Sequence, residues 1–273
     1  MPELPEVESV RRGLEAYLPG RRFESVKVLH PRANRGQDGP LGQLLADREI
    51  ASVARRGKFM WLEFADEDLT DPGRDVLFVH LGMSGQMRVG ETDSKHVRIA
   101  ASLSGGVQLN FVDQRTFGYW LLAPWTKIAH IARDPLESDF DLVATARRLR
   151  GKKTAVKTAL LDQTVVSGIG NIYADEALWL AHIQPQKKAS TLRQRDAVVL
   201  VDAAATVMRA ALKVGGTSFD ALYVNVNGES GYFDRSLHAY GRGDEPCDRC
   251  ATPLKRVVVG GRSTHYCPRC QTY

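Results

Sequence analysis

The sequence predicts an α+β chain built in parts: an N-terminal helix with an antiparallel β-sandwich, a helical middle region and a small C-terminal module around four cysteines. Three observations carry this. Apolar residues recur at helical spacing near the start, in short β-like runs to about residue 122, and at helical spacing again to about residue 214. All four cysteines lie in the last 27 residues. At 273 residues the chain is long enough for more than one buried core.

Taken in order, residues 6–18 form an amphipathic helix, with Val7, Val10, Leu14 and Leu18 on one face. Pro5 suits its first position, where a missing N–H costs nothing, and residues 1–4 are then a free arm. From about Phe23 the period shortens to that of strands. The clearest are Phe59–Phe64, Val76–Leu81, His96–Ala101, Val107–Val112 and Phe117–Leu122, with Gly105-Gly106 as a turn and the acidic stretch 66–75 as an exposed loop. Many short strands at this spacing make a sandwich or barrel. Arg133-Asp134-Pro135-Leu136 reads as a linker. Helices follow at 141–150, 154–162, 171–181 and 191–214, the last capped by Ser190 and stopped by Gly215-Gly216. Residues 223–238 read as a loop. The expected division is 1–132 for the helix and sandwich, 133–140 for the linker, 141–238 for the helical domain and 239–273 for the cysteine module.

Composition excludes little. Hydrophobic residues make up 43% and charged residues 25%, ordinary for a globular protein. No apolar run approaches the roughly 18 residues of a membrane span, and the start lacks a signal-peptide pattern, so a cytoplasmic location is expected. The net charge of +5 permits a nucleic-acid partner. Residues 1–132 carry 17 Lys/Arg against 17 Asp/Glu, whereas residues 133–228 carry 13 against 10 and residues 229–273 carry 7 against 5. The positive excess therefore lies entirely in the second half.

Cys247, Cys250, Cys267 and Cys270 form two Cys-x2-Cys pairs separated by sixteen residues. Two such pairs suit tetrahedral thiolate ligation of one structural Zn2+; disulfides or free thiols are the alternative. Residues 254–259 and 263–266 read as two strands joined at Gly260-Gly261, a zinc ribbon with Arg262 at its tip. His265 stands near, but four thiolates already complete the shell.

Two further stretches suggest chemistry. Gly168-Ile169-Gly170-Asn171 precedes a helix, where backbone N–H groups can approach an anion; a plain helix–helix turn is the alternative. At the N-terminus, removal of Met1 exposes the secondary amine of Pro2, able to form an iminium with a sugar aldehyde carbon, with the Glu3 carboxylate beside it for acid–base work.

Several blocks together resemble one family. Pro2-Glu3-Leu4-Pro5-Glu6-Val7-Glu8, Arg56-Gly57-Lys58, His80-Leu81-Gly82-Met83-Ser84-Gly85, Asp113-Gln114-Arg115-Thr116-Phe117-Gly118, the 168–174 stretch and the cysteine ribbon resemble, in order, those of the formamidopyrimidine-DNA glycosylases. The resemblance implies a helix–two-turn–helix domain between the sandwich and a zinc finger. It also implies bifunctional glycosylase and lyase activity on double-stranded DNA, excising 8-oxoguanine and formamidopyrimidines in base excision repair by a monomer. The damaged nucleotide is flipped out of the duplex. Residue by residue, Pro2 resembles the nucleophile and Glu3 the acid–base group, with β- and δ-elimination following. Lys58 resembles the lysine at the scissile phosphate, and Asn171 and Arg262 fall where the family grips phosphates around the lesion. Lys157 and His96 resemble further DNA contacts. Met83, Arg115 and Phe117 match the residues that fill the gap left by the flipped base.

Gln114 and Thr116 depart from the arginine-rich family pattern around the wedge, and residues 224–232 lie where the family covers the extruded base. Two alternatives stand beside this reading: an endonuclease VIII-like enzyme for oxidised pyrimidines, and a non-catalytic damaged-DNA binder. Leu4 and the Arg115/Phe117 pattern favour the purine branch, and the Pro2-Glu3 pair favours an enzyme.

Overall fold

The computed structural model describes residues 2–215 and 237–272. It divides into two compact units, one holding residues 2–130 and the other 131–214 and 237–272.

In the first unit, helix α1 spans Leu4–Glu15, opening two residues earlier than expected. Residues 2–4 are not a free arm: Pro2, Glu3 and Leu4 are buried. The reason is a capping box. Glu3 is the N-cap, its side chain accepts from the Glu6 N–H, and the Glu6 carboxylate accepts from the Glu3 N–H at 2.8 Å. Two of the donors that every helix start leaves unpaired are satisfied in this way.

Strand β1 (Phe23–Val28), the single-turn helix α2 (Leu41–Leu44) and strands β2 (Ile50–Arg56), β3 (Phe59–Phe64), β4 (Asp75–His80), β5 (Gln86–Val89), β6 (Val97–Leu103), β7 (Val107–Val112) and β8 (Tyr119–Pro124) follow. They make two four-stranded antiparallel sheets, ordered β1-β6-β7-β5 and β2-β3-β4-β8. The expected sandwich is therefore present. Its core takes Phe23, Leu103 and Phe111 from one sheet, Leu62, Leu77 and Trp120 from the other, and the Val7, Val10 and Leu14 stripe of α1. Burying each larger apolar side chain contributes about 1.5–3 kcal/mol.

The second unit begins with residues 131–140, which are tied down by hydrogen bonds. The Ala132 N–H donates to Gln163 O at 2.9 Å, and the fully buried Asp134 accepts from the Leu136 N–H at 3.0 Å. Helices α3 (Leu142–Arg150, capped by Asp141), α4 (Val156–Leu160), α5 (Asn171–Leu180) and α6 (Gln194–Lys213) follow. Ser190 is not the cap of α6. It lies in a 3-10 turn over Ala189–Thr191, and α6 opens after Arg193. Arg150 fixes that later start by donating to Leu192 O (2.7 Å) and to Gln194 Oε1 (3.1 Å). Gly215, at φ +80, follows the last turn, while Gly216 and most of the expected 223–238 loop lie outside the described residues. Strands β9 (Lys255–Val259) and β10 (Arg262–Tyr266) pair as an antiparallel hairpin, Val259 opposite Arg262. Gly260 and Gly261, at φ +56 and +74, supply the positive φ that a two-residue turn of this hand requires.

Polar side chains fasten α1 to β2. Arg11 donates to Val53 O at 3.1 Å and Glu15 accepts from the Val53 N–H at 3.0 Å. Glu8 sits among Arg11, Arg12 and Arg55 at 2.9, 2.8 and 2.9 Å. Burial alone would raise its pKa, but hydrogen bonds from Arg11, Arg55 and Arg12 outweigh it and hold the carboxyl at about 2, against an ordinary 4.5. A carboxyl held low when folded stabilises the fold above its unfolded pKa and loses that contribution as pH falls toward the folded one. Replacing Glu8 by Gln is expected to cost on the order of 3 kcal/mol at pH 7. Urea unfolding of wild type and variant should show the gap narrowing as pH drops from 5 toward 2.

Candidate active site and nucleic-acid interface

Pro2 and Glu3 enter the first unit at the start of α1, with Glu3 held in one rotamer by the capping box and backed by the helix N-terminus. Lys58 is placed by the turn between β2 and β3, where Arg56 faces Phe59. Gly57, at φ +57, takes the first central position of that turn. Arg55, which binds Glu8, also donates to Gly57 O at 3.1 Å. The N-terminal helix and the Lys58 turn thus share one buried ion pair as a common reference.

Met83 and Phe117 are 42% and 49% exposed, too open for core residues, and Arg115 is exposed beside them. Their two loops are locked together by Asp113, which is fully buried. Asp113 Oδ1 accepts from Ser84 Oγ at 2.6 Å and from the Arg115 N–H at 3.1 Å, and Oδ2 accepts from the Gly118 N–H at 2.7 Å. Glycine is required at the contact: a Cβ on Gly82 would lie 2.6 Å from the Gly118 nitrogen. His80 closes the arrangement by accepting from the Gly82 N–H at 3.1 Å. Burial, then the nearby Arg35 and Lys58 charges, lower its pKa, which suits a neutral acceptor ring. Thr116, one of the departures from the family pattern, stands at φ +54, a strained value for a β-branched residue. His96 is half-buried at the foot of this loop. Its carbonyl accepts from the Asp113 N–H, and its Nδ1 lies 3.3 Å from Arg98 Nη2.

Asp113, Ser84 and His80 fall inside the family-like motifs, yet sequence reasoning gives them no role of their own. A buried aspartate at a strand end reads like any loop aspartate until its partners are seen.

In the second unit, Asn171 opens α5, and its amide donates to Ser263 O at 2.9 Å. Arg262 is the first residue of β10 and is exposed. Lys157 departs from expectation. Its side chain has no exposure, and Nζ lies 2.7 Å from Asp175 and donates to Ser263 O and Thr264 Oγ1. A cation enclosed in this way serves as an internal tie, which corrects its reading as a direct DNA contact.

The four cysteine sulfurs lie within 4.8 Å of one another, and none is in a disulfide. Zinc with sulfurs at about 2.3 Å needs tetrahedron edges of about 3.8 Å, so the cluster fits. Turns support each pair: the Ala251 N–H donates to Cys247 O and the Gln271 N–H to Cys267 O. His265 is outside the set, its ring accepting from the Gly241 N–H at 3.3 Å.

Comparison with known proteins decides the family. Models described as Formamidopyrimidine-DNA glycosylase N-terminal domain, Formamidopyrimidine-DNA glycosylase H2TH domain, and Zinc finger found in FPG and IleRS match residues 1–120, 131–222 and 244–272. The chain belongs to the formamidopyrimidine-DNA glycosylase family. The family protein of Corynebacterium aurimucosum is 73% identical over 99% of this chain and 96% of its own length. That of Rhodococcus jostii is 55% identical over 99% and 96%. Among solved structures, the Lactococcus lactis Fpg bound to abasic-site DNA matches with a TM-score of 0.86 at 34% identity, covering 99% of this chain and all of that one. The same protein bound to DNA with an oxidised pyrimidine matches at 0.86 and 34%, covering 100% of both chains. The α+β fold with a helix–two-turn–helix domain and a zinc finger is thus that of the family, and one structural Zn2+ belongs to the four cysteines.

A metal held by four thiolates contributes directly to folding so small a module. Elemental analysis should find one zinc per chain. Cys250→Ser should lower that content sharply and lower the melting temperature of the second unit.

Proposed function

We propose that this chain excises oxidised purines, 8-oxoguanine and formamidopyrimidines, from double-stranded DNA through the amine of Pro2, exposed when Met1 is removed. The chain is a DNA glycosylase of base excision repair for oxidised bases, and lyase activity is a property of its family. The non-catalytic binder is thereby set aside. The observation that supports catalysis through Pro2 is the buried Pro2-Glu3 pair at the capped start of α1. The purine preference rests on Leu4 and the Arg115/Phe117 pattern.

The chemistry follows from those atoms. An α-amino group titrates at about 7.7–8.0, so a useful unprotonated fraction exists at neutral pH. Its nitrogen attacks the sugar C1′, and the bond to the base breaks with its electron pair leaving on the base. The ammonium proton that the attack creates passes to the departing base, which frees the nitrogen lone pair. Glu3 delivers a proton to O4′ as the C1′–O4′ bond opens, leaving an iminium between Pro2 and C1′. Loss of a C2′ proton then expels the 3′ phosphate, and a second elimination expels the 5′ phosphate. Lys58, Asn171, Arg262 and His96 act on phosphates, as positioning contacts. Met83, Phe117 and Arg115 fill the space of the flipped nucleotide; their exposure on the loops locked by Asp113 supports this. The working domain division keeps the boundaries expected from sequence, except that residues 133–140, expected as a linker, belong to the second unit. The accompanying reading is of a monomer in the cytoplasm.

Borohydride should trap the protein on 8-oxoguanine duplex, with the adduct mapping to Pro2. Glu3→Gln should reduce base release at least a hundredfold while binding persists. Full excision by protein that retains Met1 would overturn the mechanism. Thymine glycol belongs in the same panel, since the Lactococcus lactis protein has been solved with an oxidised pyrimidine. Faster excision of thymine glycol than of 8-oxoguanine would favour the pyrimidine reading.

Arg115 is expected to read the orphaned base. Cytosine presents acceptors to an arginine fork, whereas adenine presents its N6 donor, a mismatch of about 1–3 kcal/mol. Single-turnover excision opposite cytosine should exceed that opposite adenine by roughly tenfold. Arg115→Ala should erase the difference.

A further inference from the structure

Arg262 stands at the far end of a hairpin from the metal. It is five positions before Cys267, about 16 Å of extended strand. Zinc therefore fixes the base of the ribbon and leaves its tip to be held by something else. The holding groups come from α4 and α5. Lys157 Nζ donates to Ser263 O and to Thr264 Oγ1, each at 2.9 Å. Asn171 donates to the same Ser263 O at 2.9 Å. Asp175, one helical turn on, accepts from the His265 N–H at 2.9 Å and pairs with Lys157 at 2.7 Å. Thr264 Oγ1 in turn donates to Arg262 O at 3.0 Å. The turn itself rests on α4: a Cβ on Gly260 would lie 2.7 Å from Thr158 Oγ1. Both Lys157 and Asp175 side chains are wholly buried.

We infer that the buried Lys157–Asp175 pair is the positioning device of Arg262, setting the register of β10 so that the guanidinium meets its phosphate. Three consecutive residues after Arg262 are gripped, and each of the three is bonded to one member of this pair. A buried ion pair adds little net stability but fixes a unique arrangement, because either partner left alone is an uncompensated charge. The role differs from a DNA contact: Lys157 acts through the backbone of β10. The inference rests on the reading of Arg262 as a phosphate ligand.

The test is equilibrium binding of the zinc-loaded full chain to a duplex carrying a tetrahydrofuran abasic analogue, titrated with salt. Variants are Arg262→Ala, Asp175→Asn and the two combined, with zinc content and melting temperature measured on each. Arg262→Ala should flatten the log–log salt slope by roughly 0.9, one phosphate contact. Asp175→Asn should weaken binding about tenfold and flatten the slope equally, and the double variant should bind no worse than Arg262→Ala alone. Tighter or unchanged binding by Asp175→Asn would overturn the inference, because a freed Lys157 would then be meeting DNA itself. Losses that multiply in the double variant would overturn it too. If Asp175→Asn loses zinc, the paired Lys157→Met/Asp175→Asn variant, which strands no charge, is read by the same criteria. An unchanged slope in Arg262→Ala would instead sink the phosphate reading of Arg262, a failure separable from the others.

Discussion

A carboxylate taken out of water has to find its hydrogen bonds within the protein, and much of this structure is organised by that constraint. Glu6, Glu8, Asp113, Asp175 and Glu176 are all buried. Each is satisfied by groups from its surroundings rather than by solvent. Glu6 closes on the Glu3 N–H and squares off the start of α1. Glu8 joins α1 to Arg55 of β2. Asp113 joins two loops, Asp175 joins α5 to β10, and Glu176 accepts from three successive N–H groups at residues 238–240. Where such a junction forms, the elements that meet there have little freedom to shift, since sliding either one strands a charge. The candidate functional side chains lie one to four residues from these junctions: Glu3 from Glu6, Lys58 from Arg55, Arg115 and Phe117 from Asp113, and Arg262 from the β10 residues that Lys157 and Asp175 hold.

The loops around Asp113 show how this rigidity serves exposed residues. Met83 and Phe117 keep much of their apolar surface in water. Their backbones are held from several sides. Asp113 satisfies two N–H groups of its own loop and one hydroxyl of the other, and Gly82 lets the backbones approach within a distance no side chain would tolerate. The same fixation accounts for Thr116. A β-branched residue at φ +54 costs of order 1–3 kcal/mol, and it persists because the Arg115 N–H before it and the Gly118 N–H two residues after it are bound to one carboxylate.

What is legible in the sequence is whatever leaves a periodic or a chemically specific trace. Phe59–Phe64 and Val107–Val112 match the strands to the residue because short runs rich in aromatic and β-branched residues, each following a Gly turn, are a strong strand signal. The ribbon hairpin follows from cysteine spacing and a Gly-Gly turn, and the candidate roles of Pro2, Glu3, Lys58, Met83, Arg115, Phe117 and Arg262 rest on ordered motifs. The polar junctions are invisible for a physical reason: an aspartate that is buried and paired has the same letter as one in water. Lys157 misleads on this account, its burial being decided by Asp175 eighteen residues later. Ser190 misleads because a good capping residue competes with tertiary bonds, and here Arg150 fixes the helix start at residue 194. The expected free arm fails for a different reason. The Glu3-x-x-Glu6 spacing is itself a capping signature, and apolar periodicity alone starts the helix too late to include it.

Helix α5 shows the same constraint acting on two segments at once. Asp175 and Glu176 are consecutive, so their side chains leave the helix about 100° apart and reach different parts of the same module. One holds the strand that follows Arg262. The other holds residues 238–240, which enter the ribbon, and burial pushes its pKa up against the opposing pull of those three N–H donors. A four-thiolate metal site fixes only the two cysteine turns it touches. The helix fixes the two segments the metal cannot reach, the entry and the tip. Metal and helices are therefore complementary: zinc makes the ribbon a folded object, and Lys157 of α4 and Asp175 of α5 hold the strand that follows its arginine.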